Sequence, residues 1–148
     1  MQDIKLDGSI GFFSVNEIGS VTQETFAGEF AVKCILSPLD QIKANKLYRD
    51  LIGETSPHLV PENIGALALA LSQLKYRIIK APAGWKHDEI DGGHLDANIV
   101  TEVLNRAVEC QVKFQQEAKK RLEGLQAKLT EQYNNGEFTP KKDKLDIT

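Results

Sequence analysis

The chain has 148 residues, enough for one domain with a modest core and too short for two comfortable ones. Its 41% hydrophobic and 26% charged residues exclude disorder throughout. A net charge of −3 gives no field for gathering nucleic acid or anionic lipid. The apolar run Ala66 to Leu71 falls far short of the ~18–20 residues that span a bilayer. Met1-Gln2-Asp3-Ile4-Lys5 lacks a basic flank followed by an apolar core, so no secretory signal is expected.

Residues 1–36 read as strands. Ile10, Phe12 and Phe13 precede a turn-like break at Asn16-Glu17-Ile18-Gly19, and Ser20 to Phe26 carries Val21, Thr22 and Thr25, which favour extended backbone. Between Glu29 and Leu36, Phe30, Val32 and Cys34 alternate with Glu29, Ala31, Lys33 and Ile35, the pattern of a half-buried strand. Ala27-Gly28 reads as a bulge or tight connection between two strands. A β-meander of about three strands is the simplest account. Cys34 and Cys110 stand among apolar residues without metal-ligand spacing, so both are expected as buried thiols.

Ser37-Pro38-Leu39-Asp40 announces a helix: Ser37 can cap, Pro38 suits the first turn, and Asp40 sits where a capping-box acid reaches back. Leu39, Ile42, Leu47, Leu51 and Ile52 supply its apolar side, and Gly53 is placed as a left-handed C-terminal cap. After a loop over 54–61, a second helix runs from Pro61 with Ile64, Leu67, Ala68, Leu71 and Leu74 at helical spacing. Ala66, Leu69 and Ala70 occupy its other face, which predicts burial nearly all round. Tyr76 to Lys80 reads as one more strand or as the last turn of that helix, and Pro82 ends it either way. Residues 81–95 are irregular.

From Asp96, a good cap residue, to Tyr133 only Gly124 interrupts a helical pattern. Such a helix reaches roughly 57 Å at ~1.5 Å per residue. The ~95 residues before it form a globule of radius of gyration near ~12–13 Å. Its first half is richly apolar, with Ile99, Val100, Val103, Leu104, Ala107, Val108, Val112 and Phe114. Its second half narrows to Ala118, Leu122, Leu125, Leu129 and Tyr133, a seam of the coiled-coil kind. The expected organisation is therefore a small α+β domain over 1–114, a protruding helix segment over 115–133 and an extended tail over 134–148. The competing reading folds the helix back on its own domain with a break at Gly124. In the tail, Phe138, Leu145 and Ile147 are scattered among charges and need a partner surface to order them.

The stretch from His87 to Asp96, His-Asp-Glu-Ile-Asp-Gly-Gly-His-Leu-Asp, is the one place that looks like a site for chemistry. Two imidazoles and four carboxylates could hold a divalent cation or exchange protons. The spacing matches no EF-hand: counting from His87 puts Gly92 sixth but Asn98 twelfth. The plainer reading is a solvated turn at Asp91-Gly92-Gly93 leading to a helix cap at Asp96. His58 lacks a Cys or acid arranged beside it, and Gly8, Gly11 and Gly19 do not form a phosphate loop. Trp85 reads either as a recognition anchor or as a lid on the edge of the core.

The run Gly28-Glu29-Phe30-Ala31-Val32-Lys33-Cys34-Ile35-Leu36-Ser37-Pro38-Leu39-Asp40 leads into a helix ending Leu47-Tyr48-Arg49-Asp50-Leu51-Ile52-Gly53. Leu69-Ala70-Leu71-Ser72-Gln73-Leu74-Lys75-Tyr76-Arg77-Ile78-Ile79-Lys80-Ala81-Pro82 and then Trp85 follow. Over roughly residues 28–110 this resembles small proteins encoded among the head and tail morphogenesis genes of tailed bacteriophages. The resemblance implies a virion component or assembly factor without enzymatic activity, and it supplies no functional residues. The leading expectation is a structural accessory protein of the particle, at capsid, neck or tail, present in the virion and in host cytoplasm during assembly. It would act in multiple copies, binding neighbouring subunits through Phe114, Leu122, Leu125, Leu129, Tyr133 and Phe138, with no cofactor, metal, membrane or nucleic-acid contact. One alternative is a tail assembly chaperone that leaves before maturation. Another is a metal-binding module or enzyme built on His87, Asp91, His94 and Asp96.

Overall fold

A computed structural model describes residues 4–53, 56–86 and 93–135. The chain divides into two compact units, Met1–Phe114 and Gln115–Thr148. The first is an α+β domain with a four-stranded antiparallel sheet in the order β1 (Lys5–Asp7), β2 (Ile10–Ile18), β3 (Thr25–Lys33), β4 (Ile78–Lys80). Helices α1 (Pro38–Leu51) and α2 (Glu62–Arg77) lie between β3 and β4, with a 3₁₀ turn at Pro57–Leu59 between them. Helix α3 (Ala97–Asn134) begins in this unit and continues through the second.

Strands β2 and β3 pair from Ile10–Lys33 to Ile18–Thr25, so β2 runs on through Asn16-Glu17-Ile18, where the sequence suggested a turn. The turn lies instead at Gly19–Glu24, closed by Gly19 N–H to Glu24 O and Gln23 N–H to Gly19 O, both at 2.9 Å. Likewise Ala27-Gly28 is neither bulge nor connection: Gly28 pairs with Val15 inside one continuous strand. A Cβ at Gly28 would stand 2.2 Å from Pro82 Cβ, so glycine lets the segment after β4 lie flat on the sheet. The two-residue loop Gly8-Ser9 turns β1 into β2, with Gly8 at φ 62°, the left-handed region a tight hairpin needs.

Alternation along the strands sends Phe13, Val15, Phe26, Phe30, Val32 and Cys34 to one face. Against it pack Ile99, Val100, Val103, Ala107 and Cys110, successive positions on one side of α3, together with Leu74, Ala70 and Ile78. Phe13 and Phe30 stack at 5.4 Å, and Trp85 meets Phe30 edge-on at the same distance. Trp85 is buried, so of its two readings the lid on the core is the one realised. Val108 and Val112, expected in the core, lie on the exposed side of α3.

Ser37 Oγ accepts from the Asp40 N–H at 3.1 Å and caps α1 as expected, and Gly53 takes φ 70° after the helix end. Asp40 does not complete a capping box. Its carboxylate accepts from Lys33 Nζ at 2.8 Å, an ammonium carried at the end of β3. The apolar side foreseen for α1 is largely unburied: Ala44 and Ile52 are buried, whereas Leu39, Ile42 and Leu51 are exposed. Nor is α2 buried all round, because Ile64 and Leu69 are exposed. One layer of helices covering one sheet face leaves each helix an outer side. Residues 78–80 form strand β4 directly after Arg77, with no loop between helix and strand.

Candidate functional site

Of the residues singled out in the loop before α3, His94 and Asp96 are described, while His87 and Asp91 lie outside the described residues. Asp96 precedes the helix, and its backbone O accepts from Ile99 N–H and Val100 N–H, which starts α3. Its carboxylate does something else. Oδ1 accepts from Val21 N–H at 2.7 Å and Thr22 N–H at 3.0 Å, and Oδ2 accepts from Thr22 Oγ1 at 2.6 Å. Asn98 adds a second grip, accepting from Ser20 N–H at 3.0 Å and donating to Ile18 O at 2.9 Å. Together they clasp the β2–β3 turn.

Gly19 permits this approach, since a Cβ there would meet Asp96 Oδ2 at 2.1 Å. The Thr22 hydroxyl, opposed by burial but aided by the Thr22 and Val21 backbone donors, holds the Asp96 carboxyl below the usual carboxylate range. His94 Nδ1 accepts from Asp96 N–H at 3.0 Å, and its ring meets Phe26 edge-on at 4.9 Å. Both side chains are thus occupied in holding the fold. Among the described residues, no group of three or more His, Cys, Asp or Glu side chains is placed to hold a metal ion. Ser56 Oγ lies 3.1 Å from His58 Nδ1, an exposed pair two residues apart.

The partner-binding candidates separate into three groups. Leu122, Leu125, Leu129 and Tyr133 are 44–56% exposed on a helix that passes Gly124 without a break. Phe114 packs partly buried against the domain core, so it belongs with that core rather than with the seam. Phe138 lies outside the described residues.

Written as heptads, Leu122 and Leu129 take a positions and Ala118 and Leu125 take d positions. The flanking e and g positions are then Lys119, Arg121, Gln126, Lys128 and Tyr133, three cations and no acid. Two parallel copies would set Arg121 opposite Gln126 and Lys128 opposite Tyr133, forming no ion pair. Two antiparallel copies would set g against g, Arg121 facing Lys128, and e against e, Lys119 facing Gln126, so cations meet and no ion pair forms. The seam's charge complements a helix with acidic flanks, not itself.

A second feature had no sequence signal. A cavity of about 250 Å³ is lined by Ile35, Leu36, Gln41, Gln73, Arg77 and Gln111. Arg77, the last residue of α2, is 7% exposed. Nη1 donates to Cys34 O at 3.1 Å and Nη2 to Gln111 Oε1 at 2.5 Å, while the buried Nε–H has no acceptor. Only the fold could reveal this, because three glutamines from three helices converge on it.

No family model, curated protein or solved structure matches the chain. Among the described residues, no helix is long and apolar enough to cross a membrane.

Proposed function

We propose that this chain is a non-enzymatic structural accessory protein of a tailed-phage particle, recruited by a neighbouring subunit through the C-terminal half of α3. The observation that carries this reading is the exposed row Leu122, Leu125, Leu129 and Tyr133 on an unbroken helix. A helix that buries no apolar face is marginal in water, so such a row favours a partner helix. The cationic flanks Lys119, Arg121 and Lys128 favour a partner with acidic e and g positions over a second copy of this chain. The phage setting comes from the resemblance read in the sequence over residues 28–110 alone. In a symmetric particle, repetition would multiply a weak single contact.

A mass-spectrometric inventory of purified mature particles of the encoding phage, with copy number, tests the proposal. Fixed stoichiometry in the particle supports it. Presence during assembly but absence from finished particles replaces it with the assembly-chaperone reading, which uses the same seam. Absence from both removes it.

A further inference from the structure

We propose that the cavity beside Arg77 is a binding site for a compact oxyanion, a carboxylate or phosphate group held by the guanidinium and the side-chain amides of Gln73 and Gln111. This site lies within the first unit and is independent of the α3 seam.

A guanidinium stays protonated and carries five N–H donors. Arg77 is buried, yet its two protein acceptors, Cys34 O and Gln111 Oε1, are both neutral. Among the described residues no carboxylate pairs with it, and its Nε–H is unsatisfied. Buried charges in proteins are otherwise paired or hydrogen-bonded to saturation. The nearby Cys110 thiol does not supply the missing negative charge, since burial pushes its pKa up to about 11. Burial also lowers the pKa of Arg77 itself, with Cys34 and Cys110 opposing the effect.

The cavity provides what a counter-anion needs. Gln111 spends its carbonyl oxygen on Arg77, which leaves its amide N–H₂ as a donor. Gln73 places a second amide on the wall, and no acid lines the space to compete. Ile35 and Gln41 at the rim are exposed, so the cavity opens to solvent. Its volume of about 250 Å³ lies below the range of drug-sized pockets, which suits an inorganic oxyanion or a carboxylic acid of a few carbons. A planar guanidinium fork matches either oxyanion with paired hydrogen bonds.

Calorimetric titration of the full chain in chloride buffer, with inorganic phosphate in one arm and succinate in the other, tests this. Saturable one-to-one binding in either arm is expected, accompanied by a Tm that rises with ligand concentration. The arm that binds identifies the chemistry. Gln73→Leu removes an amide from the wall without touching the Arg77 bonds and should weaken binding by about tenfold or more. Arg77→Met should abolish it; should that variant fail to fold, the Gln73→Leu result decides alone. No binding of either probe at millimolar concentration to the folded wild-type chain overturns the proposal. So does binding that Gln73→Leu leaves unchanged.

Discussion

Thr22 donates its hydroxyl to Asp96 Oδ2 at 2.6 Å, joining a β-turn to the start of a helix 74 residues further along the chain. The same carboxylate takes two backbone N–H groups of that turn, so one buried acid fixes the relation between the β2–β3 hairpin and α3. Its folded pKa lies below the unfolded value because these donors favour the charged form. A depressed carboxylate contributes stability that is present above the unfolded pKa near ~3.9 and is lost as pH falls through the folded pKa. Urea midpoints measured against pH should therefore drop below about pH 4 in the wild type. Asp96→Asn should be less stable at neutral pH and show a shallower acid limb. An unchanged acid limb would count against the clasp.

Gly28 and Pro82 form a second relationship of this kind, resting on space rather than charge. Adding a Cβ at Gly28 brings it against the Pro82 ring, and the backbone cannot yield without parting β3 from the segment after β4. Gly28→Ala should destabilise the domain by about 1–3 kcal/mol, the usual cost of overpacking. Pro82→Gly removes the opposing Cβ together with the rest of the ring and should recover part of that loss in the double variant. Chemical denaturation of the two single variants and the pair reads the coupling. Strict additivity would place the clash elsewhere.

The Cys110 thiol is raised to about 11 by burial, with the neighbouring Cys34 adding to the effect. A Cβ at Gly11 would lie 2.6 Å from Cys110 Sγ and 3.3 Å from Cys34 Sγ, so both sulfurs press on the same stretch of β2. Thiolate is the reactive species, and neither sulfur is reached by solvent. Alkylation by iodoacetamide at pH 8 should be negligible in the folded chain and become rapid in denaturant. Mass spectrometry would reveal the opposite outcome as a modified native protein.

Gly124 lies inside α3 with open space around its Cα. Glycine in a helix interior costs about 0.5–1 kcal/mol relative to alanine, so Gly124→Ala should raise helicity at 222 nm and stabilise this part of α3 by that amount. As a heptad c position it faces away from the seam, and partner binding should be untouched. Lower helicity in the variant would mean that the glycine serves a bend.

Leu122 and Leu129 are exposed, so Leu122→Gln with Leu129→Gln removes little packing from the folded monomer. Its unfolding free energy should change by no more than about 0.5 kcal/mol. Incorporation into particles should fail. A large drop in stability would show that the two leucines are already sheltered in the free chain.

What the sequence determined by itself was local. The alternation of Phe30, Val32 and Cys34 marks a one-sided strand because strand side chains point to opposite faces in turn. Ser37-Pro38 and Gly53 bound α1 because capping chemistry is confined to a few adjacent residues. The continuous α3 and its thin leucine row follow from helical spacing alone.

Tertiary structure decided everything that depends on which distant groups meet. Asp40 looked like a capping-box acid and became the partner of Lys33, and Asp96, read as the cap of α3, stands at that helix start but spends its carboxylate as a clasp on Thr22. Trp85 turned inward onto Phe30, while most of the apolar side of α1 stayed in water. The convergence of Gln41, Gln73 and Gln111 on a buried arginine carries no local signature at all. Spacing reports the period of a single element, but long-range hydrogen bonds, close approaches and cavities arise only once separate elements share a surface.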